Sequence, residues 1–251
     1  MNLTGDRIAD DPIYLNEDRS AEPKEIFKFV RDAIATDGRM AGTKLCDVGC
    51  ATGEFLNFLS SCFPDFSLYG LDVSAPMIAD ASKRFPQITF RVVSAIDTSA
   101  FIEPEYDVTT SIGVLSCFDA EDAEKMVRNL VACTRDGGSV FLSSKFNPDP
   151  VDVVMRYRRA GQDASAQWET GWNIYSQSTV DSLLASSQRD LSWSWKPFRL
   201  PFSLPKRDDP MRAWTIETAD DPNQQINGAC QFLHFDLLHI RVGQPGGRQE
   251  A

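Results

Sequence analysis

The alternation of apolar and polar positions changes character at about residue 150. From 24 to 150, short apolar runs alternate with stretches of helical period, the pattern left by strand-helix-strand units of a parallel sheet. The spacing predicts a first helix over 24–35, with Ile26, Phe27, Phe29 and Val30 on its core-facing stripe. It then predicts strands over 44–48, 67–72, 88–93, 107–113 and 139–143, with helices over 54–62, 76–85 and 121–133. Ser74 is placed to cap the third helix, and Pro76 falls in its first turn, where no amide hydrogen is needed. Gly137 and Gly138 predict the turn into the fifth strand.

After residue 150 the texture is aromatic, for Trp168, Trp172, Trp193, Trp195 and Trp214 all lie there. Ser178 and Asp181 form a capping-box pattern for a helix that ends before Arg189. Leu191, Trp193 and Trp195 then alternate with Ser192, Ser194 and Lys196, as on a strand. Pro197, Pro201, Pro205 and Pro210 forbid regular structure over a loop of the length that often covers a binding site. A small hairpin (214–217 with 225–227, turning through 220–223) and a final strand over 232–242 follow. The organisation expected is an N-terminal arm (1–23), a ligand-binding core (24–150), a covering segment with the last two sheet strands (151–242) and a flexible tail (243–251).

Composition narrows the partners. With 42% hydrophobic and 24% charged residues, the 251-residue chain is of the folding class. A net charge of -11 repels polyphosphates, so nucleic acid is not an expected partner. The first twenty residues lack an apolar segment and no run of about 18 apolar residues occurs, which points to the cytoplasm without membrane insertion. Cys46, Cys50, Cys62, Cys117, Cys133 and Cys230 form no Cys-x-x-Cys pair and read as reduced packing residues. Oligomeric state leaves no mark in the sequence.

The most informative stretch is Leu45-Cys46-Asp47-Val48-Gly49-Cys50-Ala51-Thr52-Gly53-Glu54-Phe55, a strand that breaks into a glycine-containing loop and enters a helix. Such loops bind ligands at the carboxyl end of an open sheet. A dinucleotide loop needs glycine where Ala51 and Glu54 stand, and carboxylates at Asp47 and Glu54 would face a pyrophosphate. The same carboxylates suit a cationic ligand such as S-adenosylmethionine, which carries a sulfonium and an ammonium. Gly49 and Gly53 let the backbone pass close to it, with Cys50 and Ala51 between them. Asp72, followed by Val73 at the end of the second strand, is placed to accept both ribose hydroxyls. Ala95 and Ile96 can wall the adenine, and Ser111 and Ile112 lie where the methyl group would be presented.

On these residues the chain resembles the class I S-adenosylmethionine-dependent methyltransferases over about 24–145. Asp47 to Gly53 match the first motif, Asp72 the second-strand acid, and Tyr106-Asp107-Val108 the fourth-strand motif. Arg135-Asp136-Gly137-Gly138 is similar to the family's helix-to-strand turn, while Ala51 departs from a position often held by glycine. The resemblance implies an α/β, Rossmann-like, seven-stranded, mostly parallel sheet in the order 3-2-1-4-5-7-6, strand 7 antiparallel, with a C-terminal acceptor-covering segment. It also implies S-adenosylmethionine as cofactor. The stretches 152–158, 168–173 and 200–206 are similar to methyltransferases of bacterial surface-glycan biosynthesis.

The expected activity is therefore methylation of a small molecule, at a hydroxyl of a sugar or glycan precursor that can carry a phosphate, with a non-sugar metabolite as the alternative acceptor. His234 is the expected general base, because an antiparallel last strand begins at the ligand edge and leaves His239 far from it. Arg156, Arg158 and Arg159 can clamp an anionic group on the acceptor or simply face solvent. Trp168, Trp172 and Trp214 are acceptor candidates, whereas core packing accounts for Trp193 and Trp195. No metal is expected; the alternative is magnesium held by Asp119 with Asn147 or Asp149, and ordinary capping and turn roles explain those residues as well. A noncatalytic protein that senses the adenosyl ligand, or serves as a partner subunit, is the reading from another class.

Overall fold

The computed structural model describes residues 22–39, 41–102, 105–158, 161, 167–202, 216–217, 225–226 and 235–243. After the helix Glu25–Thr36 (α1), the chain alternates through Lys44–Val48 (β1), Glu54–Cys62 (α2), Ser67–Asp72 (β2), Ala75–Arg84 (α3), Thr89–Val92 (β3), Tyr106–Ile112 (β4), Ala120–Cys133 (α4) and Thr134–Asn147 (β5). Two-residue strands Arg156–Tyr157 (β6), Glu169–Thr170 (β7) and Tyr175–Ser176 (β8) lead to Gln177–Ala185 (α5) and Leu191–Pro197 (β9). The pair Ile216–Glu217 (β10) and Gln225–Ile226 (β11) falls within the hairpin expected there; its expected turn lies outside the described residues. Phe235–Val242 (β12) ends the sheet, and the expected start of that strand at 232 is likewise outside.

The main sheet runs β3-β2-β1-β4-β5-β12-β9, the order the family resemblance implies, with the short β8 paired to β5. β1 to β5 are parallel along this path; β12 is antiparallel to both β5 and β9. Helices cover both faces, so successive core residues of a central strand are both buried. Phe141 and Leu237 pack with Ile34, Leu56 and Leu59 on the side of α1 and α2, while Leu142 and Leu238 pack with Met126 and Leu130 on the side of α4. Among the described residues no helix is long and apolar enough to cross a membrane.

Two sequence expectations are corrected. β5 does not begin after the glycine pair: Thr134 already pairs with Tyr106, and the ladder is irregular between Tyr106 and Val108. Gly137 takes φ +76° within that irregular stretch, and a Cβ on Gly138 would lie 2.7 Å from the Arg135 carbonyl and 2.8 Å from that of Asp107. The cap of α5 is Ser176 instead of Ser178; its hydroxyl accepts from the Thr179 amide at 3.1 Å. Asp181 has other partners, since its Oδ1 accepts from the indole nitrogens of Trp193 at 2.7 Å and Trp195 at 2.9 Å. Trp195 also meets Phe146 edge-on with ring centroids 4.8 Å apart, so both tryptophans tie α5 to the sheet.

The chain departs from the sheet at Phe198 and returns at Phe235. The Phe198 amide donates to the Phe235 carbonyl at 2.8 Å, and the two rings stand edge to face at 6.5 Å. Asp181→Ala removes the acceptor of two part-buried indoles and is expected to lower unfolding free energy by about 1–3 kcal/mol in urea titration. Unchanged stability would show that neither indole depends on it.

Candidate functional site

One cavity of about 480 Å³ opens at the carboxyl ends of the parallel strands. β1 delivers Asp47 to its wall and the glycine loop follows: Gly49 at φ +81°, Ala51 at φ +48° and Gly53 at φ +77° are all left-handed. A Cβ on Gly49 would collide with the Val114 side chain, so glycine there serves both conformation and close approach. Ala51 occupies a conformation that costs an L-residue about 1–2 kcal/mol, which accounts for glycine being common at that place in the resembling family.

The loop's amides are already engaged. Gly49 and Cys50 donate to the Leu71 carbonyl at 2.7 and 3.0 Å, Gly53 to the Cys50 carbonyl at 2.9 Å, and Ala51 to Asp72 Oδ2 at 2.8 Å. Asp72 Oδ1 accepts from the Ser74 amide at 2.8 Å, so one carboxylate joins the glycine loop to the start of α3. Asp47 is buried and accepts from the Thr110 hydroxyl at 2.7 Å. Burial pushes its pKa up to about 7 against that hydrogen bond, with Asp72 repelling the same charge. Burial also raises Asp72, despite three backbone hydrogen bonds that favour its ionised form. Glu54 lines the cavity too and is paired with Arg84 at 3.2 Å. Spent amides and three carboxylates are a poor seat for a pyrophosphate and fit a ligand bearing a sulfonium and an ammonium.

Of the expected donor-site residues, Asp47, Gly49, Cys50, Ala51, Asp72, Val73, Ala95 and Ile112 line this cavity. Gly53, Ile96 and Ser111 do not. Gly53 turns the chain into α2 beside the Phe90 ring, Ile96 packs against the core, and the buried Ser111 hydroxyl donates to the Val48 carbonyl at 2.7 Å. Each shapes the strand ends that carry the lining residues.

The expected acceptor residues separate. Trp172 lines the cavity at φ +57°, a strained backbone for a bulky residue, and its ring lies 4.6 Å from that of Tyr157. It is positioned by Asn173, fully buried next to it, whose side chain donates to the Phe118 carbonyl at 2.6 Å and accepts from the Met155 amide at 2.7 Å. Arg156 and Trp168 are not among the residues of the cavity wall. Arg156 is 2.9 Å from Asp119 and donates to Thr170 at 2.7 Å, and Trp168 lies under the Arg158 guanidinium at 4.9 Å. Asp119 is thereby engaged, and Asn147 accepts from the Asp149 amide at 3.2 Å within its turn. His234, Trp214, Arg159 and Cys230 lie outside the described residues. Phe235 lines the cavity, while His239 stacks on Phe141 at 4.5 Å and approaches Ser139 and Asp37 further along β12.

Sequence reasoning missed Phe27, Met77, Val114 and Lys145, all in the wall. Lys145 stands two serines beyond the apolar run Val140-Phe141-Leu142, and its position in the sequence gives no motif that marks it.

Residues 46–140 match the family model described as "Methyltransferase domain". The trans-aconitate 2-methyltransferase of Rhodopseudomonas palustris (strain BisB5) is 28% identical over 127 residues, 50% of this chain and 48% of that protein. The chain thus spans about half the length, or less, of the curated relatives it matches. Among solved structures, magnesium protoporphyrin IX methyltransferase from Synechocystis PCC 6803 with bound S-adenosylmethionine has a TM-score of 0.53 at 15% identity, covering 96% of this chain and 88% of that one. An S-adenosylmethionine-dependent methyltransferase from Clostridium acetobutylicum ATCC 824 gives 0.57 at 12% identity, covering 94% and 97%. The fold is that of the class I methyltransferases. Residues 46–140 are similar to a methyltransferase domain, and the sheet shares its order with these solved methyltransferases.

Because Asp47 titrates near 7 and must be ionised to attract a cation, affinity for the adenosyl donor is expected to fall about tenfold from pH 8 to pH 6. The sign for folding is opposite: a carboxyl raised above its unfolded value stabilises the ligand-free fold below about pH 4, and that contribution is lost as pH rises through 7. Calorimetry across that range, with Asp47→Asn expected to flatten the profile, checks both; a flat wild-type profile counts against Asp47.

Proposed function

We propose that the protein transfers a methyl group from S-adenosylmethionine to an oxygen of a small acceptor, a hydroxyl of a sugar or glycan precursor. The observation that carries the methyl-transfer reading is the cavity itself: carboxylates and a tight glycine loop on one side, and on the other an aromatic wall with Trp172 held in a strained conformation. The relative named for trans-aconitate supports an acceptor of small size, and the aromatic wall suits the apolar face of a sugar ring. The sugar itself rests on the likeness of the stretches 152–158, 168–173 and 200–206 to glycan-biosynthesis methyltransferases.

When bound, S-adenosylmethionine supplies a methyl on a sulfonium, whose sulfur keeps the bonding pair as the acceptor oxygen forms the new carbon-oxygen bond. The protein's task is alignment and charge. Asp72, fixed by the Ala51 and Ser74 amides, has lone pairs left for the ribose hydroxyls. Asp47 balances the donor's positive charge from beneath the loop. Gly49 keeps the backbone within reach of the donor, while Phe27 and Trp172 exclude water from the transfer. A hydroxyl acceptor also loses a proton, and His234, next in sequence to the cavity residue Phe235, is the proposed base.

Asp72→Ala is expected to weaken binding of the adenosyl ligand by about 1–3 kcal/mol in calorimetry. Affinity equal to wild type in a folded variant would refute the ribose role. Turnover of labelled donor over a panel of sugar acceptors tests the activity: binding without transfer to any acceptor would favour a sensor. With a substrate in hand, His234→Ala should lower kcat by about 10² to 10⁴ and leave donor affinity intact. Full activity in that variant removes His234 from the mechanism.

A further inference from the structure

The cavity is electrically divided. Asp47 and Asp72 end β1 and β2, whereas Lys145 lies near the end of β5, beyond β4. At about 4.8 Å per strand and about 3.3 Å per residue, Lys145, two strands over from Asp47 and three from Asp72 and further along than either, stands about 16 Å from both along the sheet. That separation places its ammonium beyond a donor seated on β1 and β2, where the acceptor must lie.

Lys145 is half-buried, and its ammonium takes part in no hydrogen bond or ion pair among the described residues. The ionisable group that bears on it is the Cys117 thiol, and burial lowers its pKa. An ammonium withdrawn from water without a carboxylate partner is unfavourable unless a ligand supplies the counter-charge. Its pairing partner across the sheet is Phe235, also in the wall, and Trp172 and Phe118 line the same cavity. A cation among aromatic rings at this edge is arranged for an anion attached to a flat or apolar body.

We infer that the acceptor carries a carboxylate seated on Lys145 and that Lys145 selects for it, an assignment that rests on the methyl-transfer reading. One ammonium neutralises one carboxylate. A phosphate dianion would leave a second charge without a partner in an apolar wall, and recognition of such groups ordinarily draws on several donors. A uronic acid satisfies both the sugar reading and this site.

The test is calorimetry on the 251-residue chain saturated with S-adenosylhomocysteine and titrated in turn with glucuronate, galacturonate, glucose 6-phosphate and glucose. At least one of the two carboxylates is expected to bind ten times or more tightly than glucose and glucose 6-phosphate. Lys145→Met should lower that affinity at least tenfold, Lys145→Arg should retain most of it, and both should bind S-adenosylhomocysteine as the wild type does. The assignment is overturned if neither carboxylate binds, if the phosphate is preferred, or if Lys145→Met binds the carboxylate unchanged. Failure of the wild type to bind S-adenosylhomocysteine is a different result and strikes at the methyl-transfer reading itself.

Discussion

Two amides from different strand-to-helix turns converge on the Asp72 carboxylate, one from Ala51 in the glycine loop and one from Ser74 at the start of α3. Through it the two crossings nearest the ligand are locked to each other as well as to the sheet. The lock is built from a charge that burial disfavours, and Asp47 adds a second buried acid that the first one repels. The ligand-free edge therefore stores electrostatic cost that a cation relieves. Local geometry and ligand preference come from the same atoms, the usual reason an active edge is less stable than the scaffold beneath it.

The opposite end of the cavity is organised by packing. Asn173 spends its amide on the Phe118 carbonyl and the Met155 amide, and Tyr175 donates to the Phe118 carbonyl at 2.7 Å. These bonds fasten the stretch after β7 onto the exit of β4, and the neighbouring Trp172 is driven into its left-handed conformation as the cavity wall. Charge orders the end of the cavity at β1 and β2, and hydrogen-bonded burial orders the end that holds Trp172.

Much of this was legible in the chain. The central parallel strands announced themselves as short buried stretches set between helical patterns, and Asp47 to Gly53 carry a loop whose backbone demands are written in its glycines. The antiparallel insertion of β12 between β5 and β9 came from the family resemblance, since a strand's period does not encode its neighbour. Asp181 deceived: an acid three residues past a serine reads as a cap, yet its partners are two indoles brought by a later strand. The partners of Arg156 and Trp168 were hidden for a similar reason, since composition shows that a segment is rich in recognition residues without showing that Asp119 and Arg158 meet them. Lys145 was overlooked because a single lysine in a strand carries no spacing motif.

The Phe198 and Phe235 contact has a consequence for descent. The chain leaves and re-enters the sheet at one corner, so whatever joins those residues closes a loop whose ends are already held together. Doubling the length of such a connection costs only about 0.6 kcal/mol of closure entropy. A lineage can lengthen, shorten or exchange residues 199–234 wholesale while the sheet and its donor edge keep folding as before. The corner fixes both ends of that connection, so a change in its length is absorbed outside the sheet and the edge that carries Asp47 and Asp72 is spared it.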